Sequence, residues 1–317
     1  MRVLILFLHG LGDQIMLSGG LKLYRERHPD HRIELMVRGS ESYVLWGHDP
    51  GIQCVWMRDV PNPRYWNPIA YHLIDKPQSI YQEIIEEGGL RKFFDRIIIP
   101  EVQRLPEGLY DRVIPYGVPH KTNRIAMDLF ERDSDFDPRL TSTPIPYELT
   151  VKSEAPPEVP TGEFVIIHPF SSDYTKPWGQ WNWGRKALRP DEVTRIVKQF
   201  PNGIVVGNAE QQAAYPGVKM YPLHQLYWLL QRASGFVGVD SAIAHLAAAA
   251  GCPDITVITR NRLAEYYQPI SNGRVTLVSV DEAMDLQDRP RAPIYGVDRP
   301  SAPVAAPAGW LGKPLTT

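Results

Sequence analysis

Three stretches of this sequence carry residue types that can do chemistry, and each of them follows a short apolar run. They are the glycine-bearing turn Gly10–Asp13, the hydroxyl- and lysine-containing segment His168–Trp178, and the segment Val237–Pro253. Short apolar runs are typical of buried strands in parallel sheets. Open α/β sheets bind their ligands beyond the carboxyl ends of such strands. We therefore expect the three stretches to border ligand sites.

The segment Val237–Pro253 predicts a strand, a capped helix start and a buried helix. Asp240 and Ser241 are residue types that favour helix N-caps, and His245 is the only polar side chain from Ala242 to Ala250. Such a helix start has unpaired N–H groups and a positive dipole end, which suit a phosphate. A buried strand–helix unit without a ligand explains the same residues equally well. We interpret His245 as a hydrogen-bonded helix histidine rather than a catalyst.

The first turn offers a carboxylate at the end of the first predicted strand. Gly10-x-Gly12-x-x-Ile15 keeps only two glycines of the dinucleotide fingerprint, so it is weak evidence for a nicotinamide site. The glycines would instead let a substrate approach closely, with Asp13 beside it. The alternative is that Asp13 is only an acidic residue favoured by the helix dipole.

The segment after His168 has the composition of a phosphate-binding loop. Ser171 and Ser172 supply hydroxyl groups, and Lys176 supplies a positive charge at the end of a predicted strand. Because many surface loops contain serine and lysine, this signal alone is moderate.

Length, charge and cysteine content indicate the broad class of protein. A chain of 317 residues exceeds the usual size of one domain, and its net charge of −2 gives no bulk attraction to nucleic acid or anionic membranes. Cys54 and Cys252 form no CxxC or metal pattern, which favours a reduced, cytoplasmic protein. The apolar run near the N-terminus is too short for a signal peptide, and no run has the ~20 apolar residues of a membrane span.

Alternating strand and helix patterns predict two doubly wound α/β domains that face each other across a cleft. We place the domains at 1–147 and 163–287, with a proline-rich linker at 148–162 and a proline-rich tail at 288–317. The predicted strands are Val3–Leu8, Ile33–Val37, Ile52–Met57, Phe94–Ile99, Tyr110–Ile114, Phe164–Ile167, Gly203–Val206, Phe236–Val239, Ile255–Thr259 and Val275–Val280. The predicted helices are Gln14–Arg27, Lys121–Glu131, Pro190–Phe200, Leu223–Arg232 and Ala242–Ala250.

Two further stretches have competing interpretations. Val60–Lys76 predicts a long loop, either a lid that contacts an acceptor or a packed surface insertion. Asp133, Asp135 and Asp137 superficially match a metal-binding DxD pattern. They follow a predicted helix and precede Pro138, so we interpret them as a solvated turn and expect no metal there.

Taken in order, these motifs resemble glycosyltransferase family 9, the heptosyltransferases. The resembling residues are Gly10-Leu-Gly12-Asp13, His168-Pro-Phe-Ser171-Ser172 with Lys176-Pro-Trp178, and Val239-Asp240-Ser241-x-x-x-His245-Leu-Ala-x-Ala with Gly251-Cys-Pro253. The resemblance extends to about Val280 and leaves out Val60–Lys76 and the tail. It implies the GT-B fold, in which two Rossmann-like domains flank a cleft.

The resemblance also implies an activity and residue roles. The family transfers a sugar from a nucleotide diphosphate sugar, usually an ADP-heptose, to a lipopolysaccharide-type or other glycan acceptor, with inversion and without a metal or other cofactor. Such an enzyme works in the cytoplasm or peripherally at the inner face of the membrane. Carried to matching positions, these roles fall on both predicted domains. Asp13 would be the general base in the acceptor-side loop, which also contains Gly10 and Gly12. Asn208 and Glu210 would bind the nucleoside, and the residues at the donor diphosphate and sugar would be Ser171, Ser172, Lys176, Asp240, Ser241, Ala242 and His245.

Two departures from the family pattern leave alternatives open. Ala242 stands where the family usually has glycine, and Arg260-Asn-Arg262 replaces a small polar loop near the donor. One alternative is a GT-B transferase with another donor and a non-lipid acceptor, such as a glycan or a modified nucleic acid. Another is a nucleotide-sugar-binding protein without turnover. A nicotinamide oxidoreductase is the weakest alternative.

Overall fold

The computed structural model of the chain describes residues 1–39, 41–58, 103–115, 145–171, 186, 188–259 and 269–286. These residues form two α/β units, each built on a sheet whose strand pairs are all parallel. The predicted fold class is therefore confirmed. Predictions for Val60–Lys76, Phe94–Ile99, Lys121–Glu131 and the Asp133–Asp137 turn lie outside the described residues, and the domain boundaries stay predictions.

The first sheet has the strand order β3-β2-β1-β4. Its strands are β1 (Arg2–Phe7), β2 (Arg32–Arg38), β3 (Ile52–Arg58) and β4 (Arg112–Pro115), and its helices are α1 (Leu11–Arg27) and α2 (Ser42–Trp46). From Val3 to Phe7 every side chain of β1 is fully buried. That burial explains the unbroken apolar run, because a parallel strand in the middle of a sheet is covered on both faces.

The second sheet has the strand order β6-β5-β7-β8-β9. Its strands are β5 (Val165–His168), β6 (Gly203–Val205), β7 (Gly235–Val239), β8 (Asp254–Thr259) and β9 (Arg274–Ser279). The helices are α3 (Pro190–Gln199), α4 (Ala209–Ala214), α5 (Leu223–Leu230), α6 (Ala242–Ala249) and α7 (Val280–Ala283).

Most predicted elements are found within a few residues of their predicted ends. Helix α1 begins three residues before the predicted Gln14, because Gly10 occupies its N-cap position. The last strand ends at Ser279 rather than Val280, since Ser279 caps α7: its hydroxyl accepts from the Glu282 N–H, and the Glu282 carboxylate accepts from the Ser279 N–H. The short helices α2, α4 and α7 were not predicted.

Each described sheet has a switch point between two neighbouring strands. There the chain stops adding strands on one side of the sheet and continues on the other side. In the first sheet it lies between β1 and β4, and in the second between β5 and β7. Helix α1 follows β1, and helix α6 follows β7. Crevices at such switch points are the usual ligand sites of open α/β sheets.

Helix α6 is buried and ends as its sequence predicts. Gly251 has a φ of 78°, a left-handed conformation that glycine adopts without a steric penalty. The N–H groups of Gly251 and Cys252 donate to the carbonyls of Ala248 and Ala247, which closes the helix end. The apolar side chains of α6 share one hydrophobic cluster with those of α1, so this cluster joins the two α/β units.

Candidate functional site

The N-terminal turns of α1 and α6 meet where the two α/β units face each other. A Cβ atom added to Gly12 would lie 3.2 Å from the Cα of Ala242 and 3.4 Å from the Cδ2 of His245. Because a side chain at Gly12 would crowd this contact, the glycine allows the two helix starts to touch. Asp13, the next residue, lies half-buried in the first turn of α1. The structure therefore brings the predicted acceptor-side loop beside the predicted donor-side helix.

Gln14 holds the turn that carries Asp13. Its amide NH₂ donates to the carbonyls of His9 and Arg38, both at 3.1 Å, and its carbonyl accepts from the indole N–H of Trp46 at 3.3 Å. The side chain is almost completely buried. One residue thus ties the ends of β1 and β2 to helix α2, which fixes the start of α1. Gln14 carries no local sequence signal for this role, because its partners are up to 32 residues away.

Ser241 occupies the N-cap position of α6, but its hydroxyl does not cap the helix. The Oγ atom lies instead 3.1 Å from Nδ1 of His168, at the end of the neighbouring strand β5. The expectation that the side chains at this helix start accept from its N–H groups is therefore wrong for Ser241. The reason is tertiary: the imidazole of His168 competes for the same hydroxyl. The bond leaves the first turn of α6 without a Ser241 side-chain cap.

His168 is neutral at physiological pH. Its burial lowers its pKa to about 4, because desolvation disfavours the imidazolium ion. A neutral ring can exchange one hydrogen bond with Ser241 without adding charge to the site. Which of the two groups donates depends on the tautomer of the ring.

Asp240 forms an ion pair with Lys186 at the end of β7. The side chains of Asp240 and Lys186 are only 8% and 17% exposed, so the pair is largely shielded from water. Lys186 reaches this position because Leu188 is fully buried and its N–H donates to the Pro169 carbonyl at the end of β5. The sequence motifs predict Lys176 as the cation at the donor diphosphate and do not indicate Lys186. A lysine outside any motif carries no sequence signal for such a contact.

His245 lies at the junction of the two units. Its Nδ1 atom is 2.8 Å from the hydroxyl of Tyr147, and the imidazole is nearly buried. The chain beside Tyr147 is held to α1, since the Glu148 N–H donates to the Ser18 hydroxyl at 3.0 Å. His245 is thus a hydrogen-bonded interface residue. Tyr147 was not identified from the sequence.

The other predicted donor residues divide into two groups. Ser171 is buried just after β5, and Asn208 and Glu210 are exposed just after β6, so they lie at the same sheet edge as Asp240. The side-chain Oδ1 of Asn208 accepts from the Gln211 N–H at 2.9 Å and caps α4. The second group lies outside the described residues and comprises Ser172, Lys176, Arg260 and Arg262.

The described residues also bear on metal binding and on membrane insertion. Within the described ranges, no three side chains from His, Cys, Asp and Glu cluster as a metal site would require. In the same ranges no helix combines the length and apolar character needed to cross a bilayer.

Comparisons with known proteins point to one family. Residues 218–291 match the model of glycosyltransferase family 9 (heptosyltransferase). This match includes α5, β7 and α6, and so the Asp240–His245 segment. Comparison of the sequence with curated proteins gives no significant match.

Solved structures share the fold at low sequence identity. The glycosyl transferase family 9 protein from Veillonella parvula is 13% identical, with a TM-score of 0.54 over 88% of this chain and 85% of that chain. ADP-heptose lps heptosyltransferase II from E. coli is 13% identical, with a TM-score of 0.53 over 90% of this chain and 95% of that chain. E. coli heptosyltransferase WaaC with ADP is 12% identical, with a TM-score of 0.52 over 88% of this chain and 93% of that chain.

At these identities the structural likeness shows the fold, while the family match covers the switch-point strand and helix of the second sheet. Residues 218–291 are thus similar to glycosyltransferase family 9 (heptosyltransferase), and the chain shares the GT-B fold of the solved structures.

Proposed function

We propose that this protein transfers a heptose-like sugar from an ADP-sugar to a glycan or lipopolysaccharide-type acceptor, with inversion and without a metal ion. The observation that carries the proposal is the meeting of two helix starts at Gly12 and Ala242. One start presents the Asp13 carboxylate, and the other follows Asp240 and Ser241. A base on one side and an anion site on the other are the two halves that an inverting transfer requires.

The donor half would be formed by the strand ends of the second sheet. Asp240 would bind sugar hydroxyls, and the amides of Ser241 and Ala242 would meet the diphosphate at the positive end of the α6 dipole. The neutral His168 supports this arrangement, because it engages the Ser241 hydroxyl that would otherwise compete for the first-turn amides. The same set would include Ser171, Ser172, Lys176 and His245 around the diphosphate and sugar, and Asn208 and Glu210 at the nucleoside.

The acceptor half would be the turn at the start of α1. Asp13 would take the proton from the acceptor hydroxyl as its oxygen attacks the anomeric carbon from the face opposite the diphosphate. The glycosidic C–O bond forms, the C–O bond to the β-phosphate breaks, and the nucleoside diphosphate leaves with the electron pair. The bonds of Gln14 would hold the base in place during this step.

The solved structures support adenosine as the nucleoside. The structure of WaaC, which has the same fold, is described as containing ADP. The match of residues 218–291 to the heptosyltransferase model covers the helix that would receive the diphosphate.

Thermal unfolding in the presence of nucleotide sugars tests the proposal. An ADP-sugar at 100 times its Kd adds about 2.7 kcal/mol to the free energy of unfolding, so we expect the melting temperature to rise by several degrees. UDP-, GDP- and dTDP-sugars serve as matched comparisons, and NADH tests the oxidoreductase alternative. If no nucleotide sugar raises the melting temperature, the proposed function is wrong; a response to NADH alone would favour a dehydrogenase.

A further inference from the structure

Lys186 has no assigned role in the proposed reaction, yet it neutralises a shielded carboxylate in the candidate donor site. We propose that Lys186 is a positioning residue for the donor: its ion pair with Asp240 cancels the charge that would otherwise repel the donor diphosphate. This inference rests on the proposed function, since it takes the start of α6 as the diphosphate site.

The repulsion follows from where Asp240 lies. Its carboxylate is 8% exposed and precedes Ser241 and Ala242, whose amides begin α6. An anion bound at those amides would sit within a few Å of the carboxylate, where water screens charges poorly. One uncompensated negative charge at that range would weaken binding of a diphosphate by roughly 10- to 100-fold.

The position of Lys186 matches this task. Leu188 is buried and bonded to the end of β5, so the lysine is held between the ends of β5 and β7. Its ammonium meets the Oδ2 atom of Asp240. An aspartate that binds sugar hydroxyls must stay ionised to accept their hydrogen bonds, and a neighbouring cation keeps it ionised while removing the net charge.

The mechanism through Asp240 makes a specific prediction for variants. Lys186→Met should weaken ADP binding 10- to 100-fold, measured by isothermal titration calorimetry, and Lys186→Arg should keep it within about threefold. Adding Asp240→Asn to Lys186→Met should restore ADP affinity, because the repelling charge is gone. The double variant should still fail in sugar transfer, since Asp240 would no longer orient the sugar.

Controls separate this effect from loss of structure. Lys219→Met removes a lysine that is 57% exposed and lies 4.0 Å from Glu158 on the same α/β unit, and it should leave ADP affinity unchanged. If Lys186→Met does not fold, Asp240→Asn is compared with the double variant instead. With the carboxylate neutral, Lys186 becomes an extra positive charge beside the diphosphate, so Asp240→Asn should bind ADP more tightly than wild type, while the double variant should bind it within about threefold of wild type.

Three results would overturn the inference. One is Lys186→Met protein that binds ADP as tightly as wild type. The second is a double variant that binds ADP no better than Lys186→Met, and the third is Asp240→Asn protein that binds ADP more weakly than the double variant. Each of these leaves the proposed function intact. Wild-type protein that binds no nucleoside diphosphate would overturn the proposed function and this inference together.

Discussion

At the scale of single residues, burial sets the charge state of the candidate donor site. His168 is held neutral by desolvation, while Asp240 pairs with Lys186. Both side chains contact the start of α6 or precede it directly. With a neutral histidine and a paired carboxylate beside it, the start of α6 can present the positive end of its helix dipole.

The buried histidine predicts how stability changes with pH. The pKa of His168 is about 4 in the folded protein and near 6.5 in the unfolded chain. Between these pH values the imidazole binds a proton only when the chain is unfolded. The free energy of unfolding should therefore fall as pH falls from 6.5 towards 4, and His168 should account for about 2 kcal/mol of this loss at pH 4.5. Urea unfolding of wild type and His168→Gln at pH 7.0 and 4.5 measures the difference. Equal pH slopes in the two proteins would show that His168 is not buried as a neutral ring.

At the scale of secondary structure, the contact between α1 and α6 positions Asp13. The approach at Gly12 leaves little room for a side chain, and the bonds of Gln14 fix the same turn. Small residues at both helix starts therefore determine how close Asp13 and the proposed donor site come.

Gly12→Ala should separate the two helix starts. The added methyl group would stand 3.2 Å from backbone, so the neighbour must move by a few tenths of an ångström, at a cost of about 1–3 kcal/mol in stability. We expect the transfer rate to fall at least tenfold, because moving either helix start misaligns Asp13 with the proposed donor site. Adding Ala242→Gly should not restore the rate, since the closest atom is the backbone Cα. Unchanged transfer by Gly12→Ala protein would refute this role of the contact.

The elements were predictable to the extent that they carry local signals. The strands β1 and β7 and the helix α6 are marked by apolar runs, cap-type residues and Gly251, and the structure has them close to their predicted ends. Helices α2, α4 and α7 have six residues or fewer, which is too short for a hydrophobic period to show. The contacts of Gln14, Tyr147 and Lys186 were not predictable, because each partner comes from a distant part of the chain.

At the scale of the whole molecule, the site exists because two sheets bring their switch points together. Tyr147 bonds to His245 in the second unit, and the Glu148 backbone bonds to Ser18 in the first. The shared hydrophobic cluster of α1 and α6 adds a second connection. The alignment of base and donor site is thus a property of the packed chain rather than of either unit.

The most direct test of the central claim is to measure donor binding and sugar transfer in the same Asp13→Asn protein. Asparagine keeps the size of the side chain but cannot take the acceptor proton. With ADP-heptose and a lipopolysaccharide-type acceptor, the account predicts a loss of about 10²- to 10⁴-fold in transfer rate, with donor affinity within about threefold of wild type. Transfer at the wild-type rate would show that Asp13 is not the base and would contradict the account.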